Sequence, residues 1–326
     1  MAAVHSRAAR SAGAVLAGIA SSSPEKGERA ASELGVERAY PDARALIEDD
    51  DIDLVHVCTP NASHAELALA AIAAGKHVVC EKPLAATVEE ARSLARAASA
   101  AGIVATVPFA YRFHPMVREA RARVAAGETG RLVTVRGSYL QDWLLGASDD
   151  NWRVDPAAGG RSRAFGDIGS HLVDLLEFVT GERIESLASV TSTVHAERGG
   201  RRVETEDAAG VVVRLAGGAV GTLLVSQVTA GHRNELVLEV SGLEESLRFE
   251  QELPETLWVG GATVPCSSRA TARSSLRTRR GSRSCRAGTR WATRTRSPRS
   301  PATPTPPSRG PRWRVCRPST TGSARR

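Results

Sequence analysis

Several features common in other classes of protein are missing from this 326-residue sequence. No segment approaches the roughly 18 consecutive apolar residues that a membrane-spanning helix requires, so we expect no membrane partner. The five cysteines form no CxxC pair and no Cys/His cluster with the spacing of metal ligands. Cys58 and Cys80 lie in apolar, strand-like runs, which is typical of buried thiols in a reducing compartment. We therefore expect a cytoplasmic protein without a metal site.

Acidic residues and lysine are absent from the end of the chain. Residues 263–326 contain 17 arginines but no lysine, aspartate or glutamate. Subtracting these arginines from the 43 basic residues leaves 26 basic against 36 acidic residues in 1–262, a net charge of −10. The overall charge of +7 therefore arises in the tail alone. The acidic body gives no reason to expect a nucleic-acid partner.

The tail, residues 263–326, also lacks hydrophobic periodicity. It uses only ten amino-acid types and includes eight prolines. All ten types can be encoded by GC-rich codons, so the composition favours a gene region read out of frame over a functional basic arm. Either origin predicts disorder. A basic arm would bind nucleic acid in a steeply salt-dependent manner, and that alternative stays open.

The first third of the sequence alternates between short apolar runs and helical segments. The strand candidates are 14–20, 53–58, 77–80 and 103–107, and the helix candidates are 2–11, 25–34, 65–74 and 87–101. This alternation indicates right-handed βαβ units with a parallel sheet, in which ligands bind at the carboxyl ends of the strands. We predict an α/β domain over residues 1–112.

From residue 113 onward the pattern changes to short runs rich in Val, Thr and Leu. These runs cover 132–139, 184–195, 208–215, 219–227, 234–241 and 245–249, and most are separated by glycine-containing turns. Their spacing predicts a largely antiparallel sheet, with one long helix over 167–180. We predict a second domain, of the α+β class, over residues 113–262.

A lysine stands at the carboxyl end of a predicted strand, in the segment Glu81-Lys82-Pro83. The proline restricts the turn, so the ammonium of Lys82 can point into a ligand cleft. A solvated lysine in an ordinary turn explains this segment equally well when it is considered alone.

An aspartate and a histidine open the predicted helix 167–180. The i, i+4 spacing of Asp167 and His171 places a carboxylate and an imidazole on one face of that helix. Such a carboxylate can orient the ring and raise its basicity, as general acid–base chemistry requires. An N-capping Asp167 with an unrelated surface His171 is the competing interpretation. No third residue at metal-ligand spacing accompanies the pair.

Polar residues also follow the predicted strand 53–58. They are Thr59, Asn61 and His64, within the segment Thr59-Pro60-Asn61-Ala62-Ser63-His64. Backbone N–H groups and side-chain donors between a strand and a helix can bind the phosphates or the ribose of a nucleotide. A helix start capped by Asn61 or Ser63 accounts for this segment as well.

Together, these three motifs resemble the Gfo/Idh/MocA oxidoreductase family. In that family a strand ends in TPN-x-x-H, EKP follows the next strand, and D-x-G-x-H lies in the second domain. The order and spacing match over residues 1 to about 260, and segments 111–115 and 151–153 resemble further family segments that line the cleft. The resemblance implies a Rossmann-type domain followed by an α+β domain with an open sheet that can mediate homo-oligomerisation. It also implies NAD(P)-linked hydride transfer on a sugar or polyol.

The resemblance further implies roles for individual residues. Lys82, Asp167 and His171 are the expected catalytic residues: His171 exchanges the hydroxyl proton, Lys82 bonds the same oxygen, and Asp167 orients His171. The expected cofactor-binding residues are Ser21, Ser22, Thr59, Pro60, Asn61, His64, Glu81, Lys82 and Arg112. The expected substrate-binding residues are Trp152, Arg153 and His171.

The sequence departs from the family pattern at both ends. The family opens with a strand and a Gly-rich loop that receives the pyrophosphate, whereas here Ala2 aligns with the third glycine position. We therefore expect an incomplete, N-terminally truncated parallel sheet. The tail has no counterpart in the family, as a frame shift would produce. A truncated relative that holds no cofactor and has no activity is the main alternative to an enzyme.

The serines at 21–23 bear on the choice of cofactor. NAD-selective members end the corresponding strand in an aspartate that bonds the adenosine ribose, and here Ser21 and Ser22 stand instead. Without that carboxylate a 2′-phosphate is not repelled, and the hydroxyls can donate to it. NADP is therefore slightly favoured over NAD, with Lys26 as the nearest cation.

Overall fold

The computed structural model describes residues 1–261 and 268–271. The first half contains α1 (Ala2–Ser11), β1 (Gly18–Ile19), α2 (Pro24–Leu34), β2 (Arg38–Ala39), α3 (Ala43–Glu48), β3 (Leu54–Val57), α4 (His64–Ala73), β4 (His77–Cys80), α5 (Val88–Ala101) and β5 (Ala105–Thr106). The second half contains α6 (Pro115–Ala125), β6 (Leu132–Leu140), α7 (Pro156–Gly159), α8 (Ser170–Thr180), β7 (Ile184–Ser192), β8 (Glu197–Arg198), β9 (Arg201–Arg202), β10 (Ala208–Leu215), β11 (Val220–Ser226), β12 (Glu235–Gly242), β13 (Glu245–Glu250), β14 (Thr256–Gly261) and β15 (Ser268–Thr271). Across the described residues, no helix combines the length and the apolar character needed to cross a bilayer.

The first half is a parallel-sheet domain of the Rossmann type. Strand β1 pairs with β2, while β3, β4 and β5 form a separate sheet in that order, and all of these pairings are parallel. Its helices begin and end at the residues that their capping side chains and glycines predict. Ser23 caps α2, Thr87 and Glu90 form a capping box on α5, and Gly75 follows α4 with a φ of 74°. The predicted parallel pairing of these strands is confirmed.

The second half is built on an eight-stranded sheet in the order β15-β14-β13-β12-β6-β11-β10-β7. Strands β6 and β11 are parallel, and every other neighbouring pair is antiparallel. This confirms the predicted, largely antiparallel sheet. Strand β14 was not predicted, because it ends in Gly260-Gly261, a sequence that is typical of turns.

Strand β15 lies within the segment that was predicted to be disordered. Its backbone pairs antiparallel with β14, with Trp258 opposite Arg269. The edge of β14 offers backbone donors and acceptors, which a short strand can satisfy without hydrophobic periodicity. Residues 268–271 of that segment thus form a paired strand. The rest of the tail lies outside the described residues.

Helices α6 and α8 cover one face of the large sheet and form its hydrophobic core. Leu172, Leu175 and Leu176 of α8 are completely buried in this core. Helix α8 approaches the sheet closely at Gly137 of β6, where a Cβ atom would lie 2.8 Å from the Leu172 side chain. A second core packs α4 and α5 against β3 and β4. The position of α8, and with it the residues at its start, is thus fixed by packing.

The helix predicted over 167–180 consists of two elements. Phe165–Gly169 forms a π-helical turn, and the regular helix α8 begins at Ser170. The expectation of one continuous α-helix from Asp167 is therefore wrong. A π-helical turn leaves backbone carbonyls displaced from the α-helical pattern, and such turns are common at functional sites.

Candidate active site

Lys82 lies in the turn that follows β4, at the carboxyl end of the parallel sheet. The Lys82–Pro83 peptide is cis. Glu81 is buried beside it: one carboxylate oxygen accepts the backbone N–H of Lys82 at 3.1 Å, and the other lies 2.8 Å from Nε2 of His5. Glu81 therefore fixes the turn through contacts within the protein.

The ammonium of Lys82 reaches the second half of the chain. Its Nζ lies 2.5 Å from Oδ1 of Asp167 and 2.9 Å from the backbone carbonyl oxygen of the same residue. The exposed fractions of the two side chains are only 14% and 16%. A charge-assisted hydrogen bond that is largely shielded from water is strong, so this contact joins the two halves of the molecule at the site.

The carboxylate of Asp167 has further partners. Gln227 Nε2 donates to Oδ2 at 2.9 Å, and Arg153 Nε lies 3.5 Å from Oδ1. Burial alone would raise the pKa of Asp167, but the positive charges of Lys82 and Arg153 outweigh burial and hold that pKa below its usual value. Asp167 is therefore ionised and is held from two sides.

His171 lies near the start of α8 among aromatic rings. Its ring centroid is 5.2 Å from that of Tyr111, 5.6 Å from that of Phe109 and 6.4 Å from that of Tyr139. Nδ1 of His171 is buried and has no hydrogen-bond partner among the residues that the structure describes. Burial, followed by the nearby charge of Lys82, lowers the pKa of His171 to about 4. The ring is therefore neutral at neutral pH.

The pairing of these three residues differs from the expected one. The sequence spacing predicts that Asp167 orients His171, but the hydrogen bonds of its carboxylate go to Lys82 and Gln227. The π-helical turn alters the simple i, i+4 relationship, and an ammonium attracts a carboxylate more strongly than a neutral imidazole does.

The turn after β3 is joined to the turn after β4 by His64. This residue is 1% exposed, and its two ring nitrogens lie 2.7 Å from the Pro83 carbonyl oxygen and 2.9 Å from that of Thr59. Asn61 Nδ2 donates to the carbonyl of Gly159 at 2.9 Å, which is a second link between the two halves. Residues 61–63 form a 3₁₀ turn, and neither Asn61 nor Ser63 caps α4 through its side chain.

The arginines and the tryptophan expected in the cleft contact other protein groups. Arg112 forms a bidentate ion pair with Asp174 of α8. The Arg153 guanidinium lies 4.5 Å from the centroid of the Trp152 ring. Arg153 therefore lies between Trp152 and Asp167, close to the site. Arg112 instead pairs with Asp174.

Ser22 and Ser23 connect β1 to α2. Ser23 accepts the backbone N–H of Lys26 at 3.4 Å, and Lys26 Nζ donates to Ser22 Oγ at 3.1 Å. A hydroxyl and an ammonium therefore meet at a helix N-terminus, where negative charge is favoured.

Sequence reasoning missed a group of polar residues near the site. Gln227 directly follows the Val-rich strand β11, and nothing in its local pattern sets it apart. Tyr139 OH lies 2.6 Å from Tyr111 OH and donates to Asn234 Oδ1 at 2.7 Å. The signal in the sequence is a residue with a polar group at an inward-facing position of a strand whose other inward positions are apolar, as at Tyr139 of β6.

Two family models match the chain. Residues 1–109 match "Oxidoreductase family, NAD-binding Rossmann fold", and residues 117–248 match "GFO/IDH/MocA C-terminal domain". Together they cover most of the residues that the structure describes.

Relatives and solved structures agree with these models. Levoglucosan dehydrogenase from Pseudarthrobacter phenanthrenivorans is 36% identical over 264 residues, which are 75% of this chain and 67% of the relative. A solved oxidoreductase domain protein from Kribbella flavida is 40% identical with a TM-score of 0.81, covering 83% of this chain and 77% of that chain. An inositol dehydrogenase homologue from Azotobacter vinelandii, solved with NADH and myo-inositol, is 33% identical with a TM-score of 0.72, covering 79% and 68%.

The chain combines a Rossmann-type domain with an open-sheet domain, and a lysine, an aspartate and a histidine lie where the two meet. This combination defines a class of two-domain oxidoreductases. The chain belongs to the GFO/IDH/MocA oxidoreductase family. It spans between about half and two thirds of the length of the curated relatives, from 52% of a 1,5-anhydro-D-fructose reductase from Ensifer adhaerens to 67% of the levoglucosan dehydrogenase.

Proposed function

We propose that this protein is an NAD(P)-dependent oxidoreductase that transfers hydride between its nicotinamide cofactor and a hydroxyl or ketone group of a sugar or polyol. The observation that carries the proposal is the convergence of Lys82, from the parallel-sheet half, with Asp167 and His171 from the other half. The substrate class is supported by relatives named as dehydrogenases of levoglucosan, D-xylose, D-apiose and myo-inositol.

His171 accepts the hydroxyl proton when an alcohol is oxidised. Because its pKa is lowered to about 4, the ring is neutral and able to take up a proton at neutral pH. Its Nδ1 is buried and has no partner among the described residues, so the ring is not committed to another protein group through that atom. In the reverse direction the protonated ring returns the proton to the oxygen of the ketone.

Lys82 stabilises negative charge on the same substrate oxygen. A preorganised ammonium in a site shielded from water is effective in this role, because it needs little rearrangement as charge develops. Asp167 balances the ammonium charge and fixes its position. We assign to Asp167 the positioning of Lys82, in place of the expected orientation of His171.

The bound nicotinamide group would accept hydride in the oxidation and donate it in the reduction. We place this end of the cofactor at the turns after β3 and β4. The residues concerned are Thr59, Pro60, Asn61, Glu81 and Lys82. The unpartnered Nδ1 of His171 and the strand ends beside it fit a ligand at this position. His64 holds the surrounding backbone through the Pro83 carbonyl oxygen, and Arg112 holds the side chain of Asp174.

We place the adenosine end of the cofactor at Ser21 and Ser22. The Ser22 hydroxyl and the Lys26 ammonium, 3.1 Å apart, offer a donor and a positive charge to a 2′-phosphate. NADP is accordingly the proposed preference. A D-xylose 1-dehydrogenase (NADP(+)) from Haloferax volcanii, 34% identical over 177 residues, is consistent with this assignment.

Trp152 and Arg153 are assigned to the substrate end of the site, beside Asp167.

The open face of the large sheet is assigned to self-association. On this face Val190 and Leu224 are both paired with Gly210 of β10, and they are 79% and 48% exposed. Exposed apolar side chains grouped in this way are typical of protein interfaces. The two domains proposed are residues 1–112 and 113–262.

The test uses the purified full chain with NAD⁺ and NADP⁺ and a panel of sugars and polyols. We expect His171→Gln to lower the turnover number by about 100-fold or more, because positioned acid–base groups contribute at least that much. His77→Gln is the matched control, because His77 begins β4 at the end of the strand opposite Lys82. Turnover of His171→Gln within about threefold of the unaltered chain would refute the assignment, as would an unaltered chain that binds neither NADH nor NADPH in a fluorescence titration.

A further inference from the structure

Gln227 has an unusual set of contacts for a residue next to the site. It is completely buried at the end of β11. Its Nε2 donates to Oδ2 of Asp167 at 2.9 Å, and its Oε1 accepts from Nη1 of Arg163 at 3.5 Å. Its backbone N–H donates to the carbonyl of Asp207 at 3.0 Å. Both ends of the side-chain amide are therefore engaged.

The orientation of this amide is dictated by its neighbours. Arg163 has donors and no acceptor, so the amide oxygen must face it. Ionised Asp167 has acceptors and no donor, so the amide nitrogen must face it. Among uncharged side chains of this length, only glutamine supplies an acceptor at one end and a donor at the other. Glutamate would place a second carboxylate beside Asp167, and leucine would leave both neighbours without a partner.

Arg163 is itself held in place. Its side chain and those of Asp207 and Arg198 are 0% exposed, and Asp207 forms ion pairs with both arginines. Gln227 thus connects a rigid, buried charge cluster to the oxygen of Asp167 that does not face Lys82. The other oxygen, Oδ1, remains for Lys82.

We infer that Gln227 is a positioning residue: it anchors Oδ2 of Asp167 to the buried cluster and thereby presents Oδ1, as an ionised carboxylate, to Lys82. This inference deepens the proposed function and rests on it for its catalytic consequence. The contact between Gln227 and Asp167 can be tested without measuring enzyme turnover.

The chain offers a direct spectroscopic reporter, because it contains only three lysines, Lys26, Lys76 and Lys82. In the chain labelled with ¹³C-lysine, the NMR signal of the Lys82 ε-carbon is assigned with Lys→Arg variants of the other two lysines. The chemical shift of this signal, followed against pH, reports the protonation of Asp167 as an inflection in the acid range. The charged groups that face Asp167 are Lys82 and Arg153, and the titratable ring of His171 faces it as well. The variants are compared in the His171→Gln background, so that protonation of that ring does not contribute to the inflection. We expect Gln227→Leu to move this acid inflection up by about one pH unit, because the carboxylate loses one charge-assisted donor.

Two further variants make the result decisive. Gln251→Leu is the matched control, since Oε1 of Gln251 has no partner among the described residues. The described side chains that bind the Asp167 carboxylate are Lys82, Arg153 and Gln227. If Gln227→Leu fails to fold by circular dichroism, Gln227→Met replaces it, because methionine has the length of glutamine and adds no charge while removing the donor to Asp167. An upward shift of the inflection supports the inference. A folded variant with an unchanged inflection overturns it.

Kinetics then separate positioning from a general structural effect. We expect Gln227→Leu to lower the turnover number about 10-fold in the unaltered chain and less than about twofold in the Asp167→Asn background, because it acts through Asp167. Equal losses in both backgrounds overturn the positioning role. A shifted inflection in a chain that turns over no sugar upholds the role of Gln227 and contradicts the proposed function instead.

Discussion

The ammonium of Lys82 lies 2.5 Å from the carboxylate of Asp167, although the two residues are 85 positions apart and belong to different halves of the molecule. The contact places the ammonium of Lys82 near the neutral ring of His171. That charge is one of the two causes that keep the pKa of His171 low, the larger being burial. The same contact therefore prepares an electrostatic group and a proton acceptor for one substrate oxygen.

The acid side of the pH–rate profile should report His171. The proton acceptor is lost only when the ring is protonated, at a pKa of about 4. We expect kcat/KM for alcohol oxidation to stay level from pH 8 to about pH 5 and to fall below that, because free-enzyme groups govern this constant. Initial rates in overlapping buffers check this. A midpoint near 6.5, the ordinary value for histidine, contradicts the assigned environment of the ring.

The same shift predicts how stability depends on pH. The pKa of His171 is about 4 in the folded chain and 6.5 without the fold, so between these values the unfolded state binds more protons. The free energy of unfolding should therefore rise as the pH rises through this window and fall as the pH is lowered, by about 3 kcal/mol in all. Urea denaturation at a series of pH values should show this component in the unaltered chain and not in His171→Gln. Parallel curves for the two proteins would contradict it.

The buried ion cluster of the second half should be essential for folding. Asp207 lies between Arg163 and Arg198, and all three side chains are 0% exposed. Asp207→Ala leaves two buried guanidinium groups without their counter-ion, which should cost about 3–5 kcal/mol of the free energy of unfolding. The exposed pair of Asp150 and Arg201 provides the control, since Asp150→Ala should cost less than about 1 kcal/mol. Similar losses in the two variants would show that the cluster contributes no more than a surface pair.

The choice between cofactors should respond to one residue. Ser22→Asp places a carboxylate beside Lys26, where it neutralises the ammonium and repels a 2′-phosphate while remaining able to bond a ribose hydroxyl. We expect the Kd for NADPH to rise at least 10-fold and the Kd for NADH to change little, as measured by fluorescence titration. Ser32→Asp, within α2 and away from its N-terminus, is the matched control. An unchanged ratio of the two constants would remove the adenosine end of the cofactor from this position.

Much of the fold could be predicted because its signals are local. The helix boundaries follow from Ser23, Thr87 and Gly75, whose effects reach only a few residues. Strand β1 is shorter than the predicted run 14–20, because the extent of a strand depends on the neighbours with which it pairs. Strand β15 exists through such a pairing, and no pattern in its own residues indicates it.

The site could be predicted only as a set of residues and not as a set of contacts. Lys82, Asp167 and His171 stand out by motif, but the π-helical turn at Phe165–Gly169 decides which of them touch, and that turn carries no sequence signature. Gln227 was missed because its role depends on Arg163 and Asp167, which are distant in the sequence. Long-range partners of this kind become visible only when the chain is folded.

The joint action of Lys82 and His171 on one oxygen is tested most directly by a double-variant cycle. The measurement is kcat/KM for Lys82→Met, for His171→Gln and for the two combined, on the same sugar or polyol. If both groups act on one transition state, the double variant should be about as slow as the slower single variant, because removing either group already disables the other. A double variant whose loss equals the product of the two single losses would show that the two residues act independently.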